Sequence, residues 1–184
     1  MDEYVNFDRH TDAQSSLIEF CACIEQIPQN YLMWKYAIIS IHNALQAYLC
    51  ISLSGGNSFK TWNERHLKKW LKAYRSNQQL PDTKLDYFME LFDKIFSTGE
   101  GIDRGNIEWL NDTRNNLIHF NSDSYSIHIE SAFICCKEAI NAVTAVPSKA
   151  AGIFYYEQEQ KEQFDILTKK AGNLLAGIEN ELNK

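Results

Sequence analysis

Three prolines and eight glycines are all that the 184 residues contain. Long stretches hold neither, which argues against a β protein with many tight turns and in favour of helices. Long apolar runs are missing too. The most apolar, residues 36–41, is far too short to span a bilayer, so no membrane attachment is expected. The opening Met1-Asp-Glu-Tyr4 carries acid where a secretory leader carries positive charge, and a cytoplasmic chain is expected. The five cysteines show no zinc-type pairing. On a helix Cys21 and Cys23 would stand about 200° apart, and Cys135 and Cys136 are neighbours, so neither pair suits one metal ion. All five read as small hydrophobes, and neither a metal nor a cofactor is expected. Positive charge is also short, with a formal net charge of −6. Broad, sequence-blind nucleic-acid binders are usually basic, so any RNA contact must rest on a local patch. Neither an internal repeat nor a low-complexity tract is present.

What the chain does have is a 45% share of apolar residues and 12% aromatics, enough for one folded domain with a substantial core. The periodicity predicts an all-α, single-domain bundle of five or more helices, with a core over about 11–146 and a terminal helix over about 148–183. A first helix is expected from an N-cap at Thr11 or Asp12, through Leu17, Phe20 and Ile24, to a stop at Pro28. A second is expected over about 30–54, its core face marked by Trp34, Ile38, Ile41, Leu45, Tyr48 and Leu49. His42 and Asn43 lie in this apolar surround. Either they are locally satisfied polar groups, or one of them faces a functional helix and orients its side chains. Gly55-Gly56-Asn57 follows no strand and reads as a turn, not as a phosphate loop.

Residues 58–75 form the most charged element. Arg65, Lys68, Lys69, Lys72 and Arg75 fall on one helical face, and Leu67, Trp70, Leu71 and Tyr74 on another. Within 60–75 there are six lysines or arginines and one acid, Glu64. Such a stripe can follow an RNA backbone, stay a solvated face, or match an acidic protein surface. Asp82 reads as the N-cap of a helix through Leu85, Phe88, Met89, Phe92 and Phe96. A glycine-containing join over 97–105 then leads to a helix over about 106–120. Tyr125, Ile127 and Ile129 alternate as a short extended piece before a helix over about 130–146. In the last segment Phe164, Leu167, Ala171, Leu174, Ile178 and Leu182 recur in steps of three and four. That pattern suits packing on the chain's own bundle or contact with a second subunit.

The helix over 106–120 carries Asp112-Thr-Arg-Asn-Asn-Leu-Ile-His119, followed by Phe120. Arg114 and His119 are five apart and so about 140° apart around the helix. Asn115 and His119 share a stripe, with Asp112 and Asn116 close to it. Ile107, Leu110 and Leu117 mark the core side, and Arg114 interrupts that stripe. A cation there needs a partner, either an acid of the same chain or an anionic oxygen on a ligand. A permanent cation, an amide and a titratable imidazole at one helix end are the parts that hold a phosphate and move a proton beside it. The plain alternative is a structural ion pair for Arg114 and a helix-end cap for His119.

With Ile107-Glu-Trp-Leu110 before it, Arg-Asn at its head and His-Phe at its end, this stretch resembles the HEPN superfamily. Its signature is Arg, often followed by Asn, then four to six residues and His. The resemblance extends over about 30–146, including Ile41-His-Asn-Ala-Leu-Gln-Ala47, and points to the plasmid-borne bacterial branch. It implies a metal-independent endoribonuclease. In such enzymes two motifs, one per subunit, meet across a homodimer and cut RNA by attack of its own 2′-hydroxyl. The catalytic residues implied are Arg114, His119 and Asn115, with Asp112, Asn116, His42 and Asn43 in support. Arg65, Lys68, Lys69, Lys72 and Arg75 are candidate RNA contacts. A toxin–antitoxin or phage-defence setting would add an antitoxin or other protein partner. Some toxin members carry a tyrosine two residues after the histidine, modified by a nucleotidyltransferase antitoxin. Asn121 stands there in this chain, with Tyr125 the nearest tyrosine, so that regulation is not implied. Two other readings remain: a non-catalytic HEPN module that binds RNA or a nucleotide, and a helical protein-interaction subunit.

Overall fold

In the computed structural model, the described residues are 4–5, 7–96, 101–120, 123–150 and 152–182. Among them are seven α-helices and no strand, and they form one helical bundle. Asn121 and residues 97–100 of the 97–105 join lie outside the described residues.

Helix α1, Arg9–Gln26, is capped by Asp8, whose carboxylate accepts the Thr11 N–H at 2.8 Å. The expected caps Thr11 and Asp12 lie inside its first turn. Asp8 reaches an unpaired donor of that turn, as an N-cap must, and so sets the boundary earlier. Helix α2, Met33–Ser54, is the centre of the bundle, touched by α1, α4, α5 and α6. Residues 30–32 form the turn that precedes it. Its core face is wider than one stripe, because Ala37, Ser40, Ala44, Ala47 and Ser52 are buried as well. Their small side chains let neighbouring helices close in on several sides. By length and composition α2 is also long and apolar enough to cross a membrane, unlike the short run at 36–41. Most of that stretch, 78%, is instead buried inside the bundle.

The chain then makes a 3₁₀ turn, Phe59–Thr61, and enters α3, Glu64–Arg75, capped by Asn63. The helix expected from Asp82 does not form there. Residues 84–86 run antiparallel to 61–63, with the Asn63 N–H on the Lys84 carbonyl and the Asp86 N–H on the Thr61 carbonyl, both at 2.9 Å. Pro81 favours extended backbone before it, and this long-range pairing uses donors a helix would need. Asp86 locks the junction. Its buried carboxylate accepts from Asn63 at 3.0 Å, from the Tyr87 N–H at 3.1 Å and from Lys94 at 2.7 Å. Burial pushes this carboxyl upward, but the Lys94 and Asn63 hydrogen bonds outweigh it and hold it below the usual range. Helix α4 is therefore short, Phe88–Ile95.

Helix α5, Arg104–His119, is capped by Asp103, and α6 spans Ile129–Ala145. The last helix, α7, spans Gln158–Leu182, ten residues later than the start expected at 148. In between, Val146–Lys149 is a 3₁₀ turn, and Phe154 is buried against Tyr48 and Phe164. That anchor holds the segment off a helical path. Along α7, Phe164, Leu167, Thr168, Ala171, Leu175 and Ile178 are buried, while Leu182 is exposed. The terminal helix packs on α1 and α6 of its own bundle. The five thiols are free and buried, as small hydrophobes.

Candidate functional site

Helix α5 begins at Asp103, whose side chain accepts the Asn106 N–H at 3.1 Å, and ends at Phe120 in the left-handed region (φ 33°). The Phe120 N–H returns to the Asn116 carbonyl at 3.0 Å, closing the helix just after His119. Ile107, Leu110, Thr113 and Leu117 are buried against the bundle and fix which way the helix is turned.

That rotation leaves Arg114 half-buried at the margin of the core. Its Nη1 donates to Asn115 Oδ1 at 3.0 Å, and its buried Nε has no hydrogen-bond partner. Among the described residues it makes no ion pair with any carboxylate. Of the two partners the sequence allows, an acid on the same chain is thus not found among the described residues. A guanidinium so placed retains donors in a planar fork, suited to the oxygens of a phosphate or carboxylate.

His42 does face α5, as one of the two sequence alternatives expects, but it hydrogen-bonds neither Arg114 nor His119. Its Nε2 is 3.2 Å from Asn111 Oδ1, and its ring lies over Phe88 with centroids 4.1 Å apart. Burial lowers its pKa from 6.5 to about 4, opposed by the Asn111 bond and the neighbouring Asn43 side chain and assisted by the Arg114 charge. The ring is therefore neutral near pH 7, with Nε2–H donating to Asn111. The Asn111 amide in turn donates to Asp112 at 3.3 Å. Asn111 was not among the residues singled out from sequence. Its signal was there, four residues before Asn115 on the stripe that leads to His119.

Asp112, Asn116 and His119 are exposed, and Asn43 is half-buried. Asn116 reaches the Tyr125 hydroxyl at a long 3.4 Å. No hydrogen bond joins His119 to Arg114 or Asn115, and about 7.5 Å of helix rise separates His119 from Arg114. The structure thus links His42, Asn111 and Asp112 by hydrogen bonds, pairs Arg114 separately with Asn115, and sets His119 apart at the solvent end of α5. Next to that end is a hollow of about 650 Å³ lined by rings including Tyr31, Trp34, Tyr36, Phe120 and Tyr125.

The other candidates sit on α3. Arg65, Lys68, Lys69, Lys72 and Arg75 are all exposed on one face, as expected, and among the described residues only Lys68 of these has an ion-pair partner, Glu64. Both members of that pair are more than 70% exposed, so it costs little to break. Among the described residues no three His, Cys, Asp or Glu side chains are grouped to hold a metal ion.

The fold and the site together define a helical bundle with an anion-ready arginine on one helix and a free-standing histidine at that helix's end. No protein-family model matches the chain, and no curated protein or solved structure does either.

Proposed function

We propose that this protein is a metal-independent endoribonuclease of the HEPN type, acting as a homodimer. One observation carries the reading: Arg114 is a half-buried cation with no acidic partner among the described residues and with a buried donor unspent. Leaving such a group unpaired is costly, and an incoming phosphate would relieve it. In the reaction, an imidazole removes the proton of the RNA 2′-hydroxyl as its oxygen attacks the adjacent phosphorus. The bond to the 5′-oxygen breaks, and a second imidazole gives that oxygen a proton, leaving a 2′,3′-cyclic phosphate and a 5′-hydroxyl. Arg114 neutralises the charge growing on the phosphorane oxygens, and Asn115 holds the guanidinium in line. His119 is the acid and base, one from each chain. The exposed Ile118, Phe120, Tyr36 and Leu32 around the end of α5 suit a face that a second copy covers. A toxin or phage-defence role, with a protein antitoxin, fits the same chemistry.

A second reading is favoured by the gap between Arg114 and His119: a module that binds RNA or a nucleotide through Arg114 and does not cut it. Incubation with RNA in EDTA separates the two. The ribonuclease reading expects cleavage with cyclic-phosphate ends, reduced roughly 10²–10⁴-fold in His119→Ala with the thermal midpoint nearly unchanged. Salt-sensitive binding without product, lost in Arg114→Ala, sinks catalysis and leaves the binding module.

A further inference from the structure

Helix α3 divides into an apolar and a charged face, yet it buries only Ala73. Its aromatic side joins a chain of rings that the bundle leaves partly open. Phe59 and Trp62 lie 5.1 Å apart between centroids, Trp62 and Trp70 5.7 Å, and Trp70 and Tyr74 5.3 Å with planes within 7°. None of the four is buried, and Tyr74 is 64% exposed. Core rings such as Phe20 and Phe92 are covered completely or nearly so. Rings that served only to hold α3 would be covered in the same way.

Beside this cluster opens a cavity of about 780 Å³, with Phe59, Trp62 and Tyr87 among its walls. Its charges balance, three lysines (Lys60, Lys94, Lys149) against three acids (Glu64, Asp86, Glu90). Lys94 donates to Asp86 and to the Lys60 carbonyl, which leaves one of its three N–H groups to spend. Such a space suits a flat, uncharged ring with carbonyl oxygens at its edge. The excess positive charge lies outside it, on the solvent face of α3. There Arg65, Lys69, Lys72 and Arg75 have no carboxylate partner among the described residues, in a chain of net charge −6.

Neutral rings in an aromatic cavity and phosphates on a cationic stripe are the two halves of one ligand chemistry. We infer that this corner of the molecule binds single-stranded RNA, an unpaired base entering the cavity while the phosphates pass along the basic face of α3. A duplex keeps its bases paired and stacked and offers none to the cavity. A lipid surface would meet only the charged face, since the apolar face of α3 is turned toward the ring cluster. In naming the substrate as single-stranded RNA this inference rests on the ribonuclease reading; the binding itself does not.

The test is fluorescence anisotropy of a labelled, unstructured oligouridine in EDTA, with the His119→Ala chain so that the RNA stays whole. Two changes at exposed positions are added separately, Lys69→Glu with Lys72→Glu, and Tyr87→Ala. The charge reversal is expected to weaken binding at least about tenfold and to flatten its salt dependence. Tyr87→Ala is expected to weaken it about five- to hundredfold with the salt dependence kept, and to reduce the tryptophan quenching caused by RNA. Parent-like binding by both variants would overturn the site. So would equal competition from a duplex of the same length, or binding of anionic phosphatidylserine vesicles in place of RNA. The two readings fail separately. If the unmutated chain binds oligouridine through α3 but leaves it intact, the ribonuclease reading falls and this site stands. If RNA is cut and the α3 variants cut it at parent KM and kcat, this site falls and the ribonuclease reading stands.

Discussion

Arg114 occupies a place in the stripe of Ile107, Leu110 and Leu117 where a leucine would pack more easily. A fold selected for stability alone has no use for an unpaired cation there, and active sites often carry such a cost. Arg114→Leu is therefore expected to raise the unfolding free energy by about 1 kcal/mol while abolishing RNA cleavage, read by urea denaturation beside a cleavage assay. A loss of stability would show that the guanidinium serves the fold. His42 makes a second residue-scale prediction. Its folded pKa, about 4, lies below its unfolded value of 6.5, so between those values only the unfolded chain takes up the proton. The stability tied to a neutral His42 is complete above pH 6.5 and drains away as pH falls toward 4, by up to about 3 kcal/mol. Urea titrations across this window should show a steeper pH slope for the parent than for His42→Gln. Equal slopes would mean that the ring takes up its proton in the folded chain as easily as in the unfolded one.

At the scale of the element, α5 is set by its two ends and its buried side. Asp103 satisfies a first-turn donor, and Phe120 adopts the left-handed conformation that ends the helix after His119. Removing the cap in Asp103→Ala should cost about 1 kcal/mol in thermal or urea unfolding and leave cleavage per folded chain unchanged at low temperature. Asp103→Ser should recover most of the loss, because a serine hydroxyl accepts the same N–H. An unchanged midpoint in the alanine variant would mean that solvent satisfies this helix end as well as the carboxylate does. Helix α3 follows a different logic. Tied down by half-covered rings and buried at Ala73 alone, it is held to the bundle more lightly than α5 and leaves its polar face open to solvent.

For the molecule as a whole, one chain offers one motif, and the proposed chemistry calls for an acid and a base together. Specific activity should fall on dilution as the dimer parts, in step with the sedimentation coefficient measured over the same concentrations. A sedimenting monomer whose activity per chain stays constant on dilution would confine the site to one subunit. In that case His119 would need a second proton carrier from its own chain, and buried, neutral His42 is spent on Asn111.

The helices themselves were legible from sequence, because the apolar period of 3.6 in α1, α2, α5, α6 and α7 comes straight from burial on one side of a helix. The motif was legible for the same reason: Arg114 breaks an apolar stripe, and Asn115 leads to His119 at helical spacing. Local rules failed where distant residues competed for the same backbone groups. Asp82 has the chemistry of a cap, but the pairing of 84–86 with 61–63 removes the helix it would start. Leu182 fits a seam of threes and fours yet is exposed, while Leu175, off that seam, is buried more fully than its half-buried neighbour Leu174. Only the tertiary structure brought His42 to Asn111, across 69 residues of chain, and only it left Arg114 without an acid among the described residues. Periodicity is a property of neighbours along the chain, whereas the pairing of a buried polar group depends on which side chains folding carries to it.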